Sequence, residues 1–168
     1  MINEVKIEQL ITTEEQMEEL SELLIQVVDD GASVGFLPPL ELLDAMTYWE
    51  DVLNPEVILF VAKRNNRIVG SIQLHLCAKQ NGIHRAEIAK LMTHPSYRRN
   101  GIGRLLMKAA EERAVKEGRS LLVLDTREGD PSNQLYTSLG FISAGKIPNY
   151  AKSATGELHA TIFYYKTI

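Results

Sequence analysis

Residues 85–126 constrain the fold more than any other stretch of the chain. "RAEIAKLMTH" (85–94) reads as a strand, and a glycine-punctuated turn follows it. A helix then runs from about Gly103 to Glu117 with Gly118 as its C-cap, and "SLLVLDT" reads as a strand that is almost wholly apolar. A strand apolar on both faces belongs inside a sheet that is covered on both sides. Two strands joined through a helix cannot form a hairpin. They make a parallel crossover, right-handed in nearly every known case.

The flanking segments supply the rest of that sheet and its cover. "EEQMEELSELLIQVVDD" carries Met17, Leu20, Leu23, Leu24 and Val27 at helical spacing, with Thr13 as a candidate N-cap and Gly31 as the stop. "PLELLDAMTYWEDVL" is expected to be a second, short helix opened by Pro39. "EVILFVAK" (56–63) and "RIVGSIQLHLCAK" (67–79) are rich in β-branched residues and flank the turn "RNNR", which predicts an antiparallel hairpin. Downstream, "SNQLYTSLG" is expected to be a short helix closed by Gly140, "FISAGKI" and "HATIFYYKTI" two strands, and "NYAKSATGE" (149–157) a loop. The fold class is therefore α/β with a mixed sheet and helices on both faces.

Composition narrows the function. A chain of 168 residues with 45% hydrophobic content is expected to form one domain, residues 1–168. Eighteen basic residues against 22 acidic give net −4, which argues against nucleic acid or an anionic membrane as partner. The chain opens without the pattern of a secretory signal, and no apolar run reaches the roughly 18 residues of a membrane span, so a cytosolic setting is expected. Cys77, the one cysteine, is expected to fill the core. His75, His84 and His159 show no ligand spacing with it or with each other, so no metal is expected.

A turn from a strand into a helix N-terminus presents unpaired N–H groups and the positive end of the helix dipole, a setting that favours an anion. The stretch is "RRNGIGRLLM". A nucleoside-triphosphate loop would need Lys-Ser/Thr after its last glycine, where Arg104-Leu105 stand, and a dinucleotide fingerprint would want a small residue at Leu106. Two readings remain. Arg98-x-x-Gly101-x-Gly103 cradles a pyrophosphate, with Arg98, Arg99 and Arg104 adding charge, or it is an ordinary turn with a solvated basic cluster.

"LMTHPSYRRNGIGRLLM" resembles the acetyl-CoA-binding motif of the GNAT N-acetyltransferase superfamily. The order of elements resembles that superfamily over essentially the whole chain, and "SNQLYTSLGF" resembles its downstream helix, with a tyrosine four residues before Gly-Phe. "DGASVGF", "NGIHRAEIAKLM", "LDT" and "GELHATIFYYKT" are similar to the bacterial tabtoxin-resistance acetyltransferase branch. The resemblance implies a central, mostly antiparallel sheet with splayed parallel strands, and acetyl-CoA as cosubstrate. It also implies a coenzyme site made of Leu91, Met92 and Thr93 along the strand and Arg98, Arg99, Asn100, Gly101, Ile102, Gly103 and Arg104 in the turn. Many relatives carry an asparagine seven residues before the tyrosine; here that position is Gly129, and Asn133, or the N-terminus of its helix, is the substitute expected to contact the coenzyme.

Acetyl transfer to an amine needs a neutral amine, a stabilised oxyanion and a protonated leaving thiolate. Glu87 stands eleven residues before Arg98, the spacing of the general base in the histone-acetylating branch. Against that role stands a strand glutamate on a solvated face, paired with Arg85 or Lys90. Asp125 is either a second base that orients the amine or a cap for the next turn through Thr126 and Arg127. Tyr136 is the general acid that the resemblance implies, against a tyrosine packed in the core. The oxyanion donor is expected near Leu91, Met92 or Thr93, where His94-Pro95 would interrupt the ladder.

The acceptor is less constrained. Residues 29–39, Trp49, Tyr150 and His159 are candidate wall residues, with a core anchor as the other reading of Trp49, and a small amino-acid-like amine is the expectation, with a peptide or protein amine as the alternative. A non-catalytic acyl-CoA-binding module is the competing class. "ATIFYYKTI" is an apolar strand that would pair two copies at an open edge, a homodimer, or lie inside the sheet.

Overall fold

The computed structural model describes residues 4–168. It contains strands β1 (Val5–Leu10), β2 (Val57–Arg64), β3 (Arg67–Leu76), β4 (Arg85–Thr93), β5 (Leu121–Arg127), β6 (Ile142–Lys152) and β7 (Leu158–Thr167). Its helices are α1 (Met17–Asp29), α2 (Leu42–Asp51), α3 (Ile102–Lys116) and α4 (Ser132–Ser138). The strands form one seven-stranded sheet in the order β1-β2-β3-β4-β5-β7-β6. Every neighbouring pair is antiparallel except β4 with β5, joined in parallel by the crossover through α3.

Both sheet faces are covered, and strand alternation sorts side chains between two cores. On β2, Ile58 and Ala62 pack with Leu106, Met107 and Ala110 of α3, whereas Leu59 and Val61 pack with Leu20, Leu24 and Val27 of α1 and Trp49 of α2. This is why the hairpin strands read as continuous apolar runs rather than alternating ones. Each fully buried leucine stabilises the fold by about 2 kcal/mol. The hairpin turn falls at Asn65 and Asn66, both at positive φ, the conformation a two-residue type I′ turn requires.

Several expectations change. "VKIEQL" forms β1, a strand that its charged residues conceal; it is an edge strand, and its burial is partial. Thr13 does not cap α1, which starts after Gln16; Thr13 is buried and donates its hydroxyl to the Trp49 carbonyl at 3.0 Å. The "NYAKSATGE" loop is shorter than expected, because β6 runs on to Lys152. β7 is internal, between β5 and β6, so its apolar character comes from two-sided pairing, and the open edge belongs to the exposed β6. Cys77 lies just beyond β3 and is half-buried rather than in the core.

Candidate active site

The parallel pair defines a cleft. β4 and β5 are in register only at Arg85/Leu121, Ala86/Leu122 and Glu87/Val123, and from Ile88 onward the β5 side of β4 has no strand partner among the described residues. Backbone amides and carbonyls there are left open to a guest. On its other side β4 carries a bulge. Met92 pairs with Ser71 and Ala89 with Gln73, so Lys90 and Leu91 together stand against the single residue Ile72, and Lys90 takes φ +54°. An inserted residue flips every later side chain to the opposite face. Hence Ile88 faces the α3 core, yet Met92 faces the α1–α2 core. The bulge, not His94-Pro95, interrupts the ladder. His94 keeps its N–H on the Val69 carbonyl at 2.8 Å and turns its Nδ1 to the Ser96 N–H to cap a short 3-10 turn.

At the far end of β4 the glycine turn enters α3. Arg99 and Gly101 both have positive φ, and Gly101 is the helix N-cap, where no side chain accepts a hydrogen bond from the first turn. The first intrahelical bond runs from the Leu105 N–H to the Gly101 carbonyl, so the N–H groups of Ile102, Gly103 and Arg104 have no acceptor within the helix. A Cβ on Gly101 would meet no atom within 4 Å, whereas one on Gly103 would stand 3.3 Å from Leu135 of α4 and 3.9 Å from Leu91 of β4. Gly101 supplies the left-handed bend, and Gly103 lets α3 and α4 close together. The donors, the dipole and the missing side chains suit a diphosphate. The arginines are partly engaged: Arg98 Nη1 lies 2.5 Å from Asp30 Oδ2, and Arg104 Nη2 donates to Ser138 Oγ at 2.9 Å. Asn100 folds its amide onto the carbonyls of Tyr97 and Arg98.

The carboxylates lie on the α1–α2 side. Glu87 keeps solvent-exposed surface and makes no ion pair with Arg85 or Lys90. Burial, and then the neighbouring Asp125 carboxylate, raise its pKa, while the Lys90 ammonium pulls part of the way back. Asp125 accepts from the Thr161 hydroxyl at 2.8 Å across to β7 and does not cap the following turn; that turn is held by Thr126 Oγ1 with Ser132 Oγ and by Arg127 with Asp130. Lys90 is half-buried, its pKa lowered mainly by burial, and its Nζ donates to the Val34 carbonyl at 2.6 Å.

Tyr136 sits on the other side of the sheet, buried against Phe141 and Tyr164 with ring centroids 6.0 Å from each. Burial, with Asp125, Asp130 and Tyr164 around it, holds its pKa well above the usual phenol value, so the hydroxyl stays protonated. Asn133 has its amide donors on the carbonyls of Arg127 and Asp130 and its oxygen on the Tyr164 hydroxyl, so its side chain braces the β5–α4 loop.

Of the expected wall residues, Trp49 is 0% exposed and anchors the α1–α2 core instead. Tyr150 is exposed on β6 and tilts against Phe163, the register partner of Asp125. His159 stands near Glu157. The loop after α1 is tied down by cations from three elements: Arg98 to Asp30, Arg127 to the Gly31 carbonyl at 3.0 Å, and Lys90 to Val34. Sequence reasoning missed Thr161, Gln73, Tyr48 and His75 as site partners, and it named Lys90 only as a pair for Glu87 and Asp30 only among the wall residues. Apart from His75 with Gln73, two residues away, their pairings span 25 to 68 residues and leave no local pattern; only the His75 and Gln73 alternation, polar within an apolar strand, is a signal.

Residues 32–141 match the family described as "Acetyltransferase (GNAT) family". An Azospirillum brasilense protein described as an uncharacterized N-acetyltransferase in the hisH-hisA intergenic region is 34% identical over 115 residues, 67% of this chain and 68% of its own. A solved GNAT-family acetyltransferase from Streptococcus pneumoniae has a TM-score of 0.82 at 20% identity, covering 98% of this chain and 100% of that one. A Salmonella typhimurium acetyltransferase solved with its cofactor acetyl-CoA has a TM-score of 0.80 at 16% identity, covering 97% and 93%. At such identities the solved structures speak for the fold. No helix among the described residues is long and apolar enough to cross a membrane.

Proposed function

This chain belongs to the GNAT acetyltransferase family, and we propose that it moves an acetyl group from acetyl-CoA to a primary amine by direct transfer in a ternary complex. The reading rests above all on the parting of β4 and β5 after Glu87 and Val123, with the open N–H groups of α3 at one end of the gap and Glu87, Asp125 and Tyr136 around it. Acetyl-CoA supplies the thioester; the rest is the work of this chain.

The amides of Ile102, Gly103 and Arg104 bind the diphosphate, with Arg98 and Arg99 adding charge, and the freed edge of β4 at Leu91, Met92 and Thr93 lies along the pantetheine arm. An N–H of that edge stabilises the oxyanion, a contribution of about 3–4 kcal/mol when such a donor is preorganised. Glu87 takes the proton from the ammonium, its raised pKa making it a stronger base than an ordinary carboxylate. Asp125, fixed by Thr161, orients the amine. Tyr136, protonated until the tetrahedral intermediate collapses, gives its proton to the leaving thiolate and recovers one from the attacking nitrogen, which sheds its second proton as the amide forms. Among the described residues we assign no side chain as an acyl-accepting nucleophile, which favours direct transfer.

For the acceptor we favour a small amino-acid-like amine, in line with the stretches that resemble the tabtoxin-resistance branch, and a cytosolic setting. Protein incubated with acetyl-CoA and a panel of primary amines releases free coenzyme thiol with at least one of them. Tight coenzyme binding without turnover on any amine would instead identify a binding module.

A further inference from the structure

Beside Glu87, on the side of β4 away from the cleft, β3 carries a histidine fixed by a hydrogen-bond chain that begins in the core. Gln73 is 1% exposed, so its amide must find partners within the protein. Its Nε2 donates to the Tyr48 hydroxyl at 2.8 Å, and its Oε1 lies 2.9 Å from His75 Nε2. The Gln73 oxygen only accepts, so this ring nitrogen carries the proton and Nδ1 of the neutral imidazole is left with its lone pair.

Strand register sets His75 directly across from Glu87. Their neighbours Leu74 and Ile88 face the α3 core, so His75 and Glu87 share the opposite face, with Cβ atoms about 4.5–5.5 Å apart for such a pair. The remaining surroundings of the ring are apolar Val57 on β2, Tyr48 of α2 through Gln73, Lys90 on β4, and Asp125 beyond Glu87. The ring is half-buried, and burial followed by the Lys90 charge lowers its pKa.

We propose that His75 accepts from Glu87 the proton given up by the acceptor amine and passes it to water. The relay rests on the reading of Glu87 as the base. The ammonium N–H breaks, leaving its electron pair on nitrogen, and the proton joins the Glu87 carboxylate. The Glu87 O–H then breaks as the Nδ1–H bond of His75 forms, giving a carboxylate and an imidazolium. The imidazolium releases the same proton to water, so both side chains return to their starting states and one proton leaves per amide made. Burial raises Glu87 and lowers His75, which narrows the gap between their proton affinities. The Lys90 charge also disfavours the imidazolium. His75 acts through Glu87, which makes it a positioning residue for the base.

The test uses the full-length chain labelled with ¹⁵N at histidine, followed by NMR across pH. The expected result is His75 protonated on Nε2, with a titration midpoint that falls by about half a pH unit or more in Glu87→Gln, because the lost carboxylate favoured the imidazolium. In Gln73→Leu the tautomers mix. A ring protonated on Nδ1, or a midpoint unmoved by Glu87→Gln, overturns the relay. Acetyl-CoA affinity measured on the same samples separates the failures: a wild-type chain that does not bind coenzyme sinks the proposed function, whereas one that binds it with uncoupled titrations sinks the relay alone.

Discussion

Asp30 and a bound diphosphate would compete for Arg98, and the structure sets the size of that competition. Asp30 follows the last turn of α1, and its carboxylate lies 2.5 Å from Arg98 Nη1. The two side chains are 42% and 46% exposed, which makes this a surface ion pair, worth about 0.2–1 kcal/mol rather than the several of a buried pair. If coenzyme must displace Asp30 to recruit Arg98, deleting the carboxylate returns that free energy to binding. At about 1.4 kcal/mol per tenfold, Asp30→Asn tightens the acetyl-CoA Kd by roughly 1.4- to 5-fold. Isothermal titration at low salt reads the gain, which shrinks at high salt because exposed charges are screened. Arg98→Ala removes a charge-assisted contact and weakens binding about tenfold or more. On the Arg98→Ala background Asp30→Asn does nothing further. Weaker binding in Asp30→Asn, or an equal gain with and without Arg98, refutes the exchange.

Other outcomes follow from the same geometry. Tyr136→Phe lowers kcat about a hundredfold with little change in coenzyme Kd, since it removes a proton donor and no internal hydrogen bond, and stopped thiol-release assays read it. The kcat/KM profile of the wild type has an acidic limb above the usual carboxylate range, and Glu87→Gln loses both the limb and most of the rate. Because the folded-state pKa of Glu87 lies above its unfolded value, its stabilising contribution is complete below about pH 4 and is lost as pH rises through the raised pKa. Glu87→Gln therefore melts at a higher temperature than wild type at neutral pH, and the difference closes in acid. Trp49→Ala, which empties a site of 0% exposure between α1 and α2, costs about 3–5 kcal/mol by urea titration.

Local patterns and short spacings were legible in the sequence. The helical stripe of Leu20, Leu24 and Val27, the β-branched hairpin with its Asn65-Asn66 turn, and the apolar first half of β5 each state their environment through side-chain chemistry repeated along the element. The glycines at 101 and 103 likewise announce a bend and a close approach. Tertiary structure alone decided what depended on neighbours distant in the chain. The bulge at Lys90 shows only in the pairing of β4 with β3, and β7 is internal because β6 folds outside it. Arg98 meets Asp30, Lys90 meets Val34, and His75 meets Glu87 through contacts that no local period encodes. Backbone propensity and hydrophobic periodicity act over a few residues, so one strand or helix suffices to reveal them. A carboxylate's proton affinity and a lysine's partner are set by whatever the whole fold brings within a few ångströms.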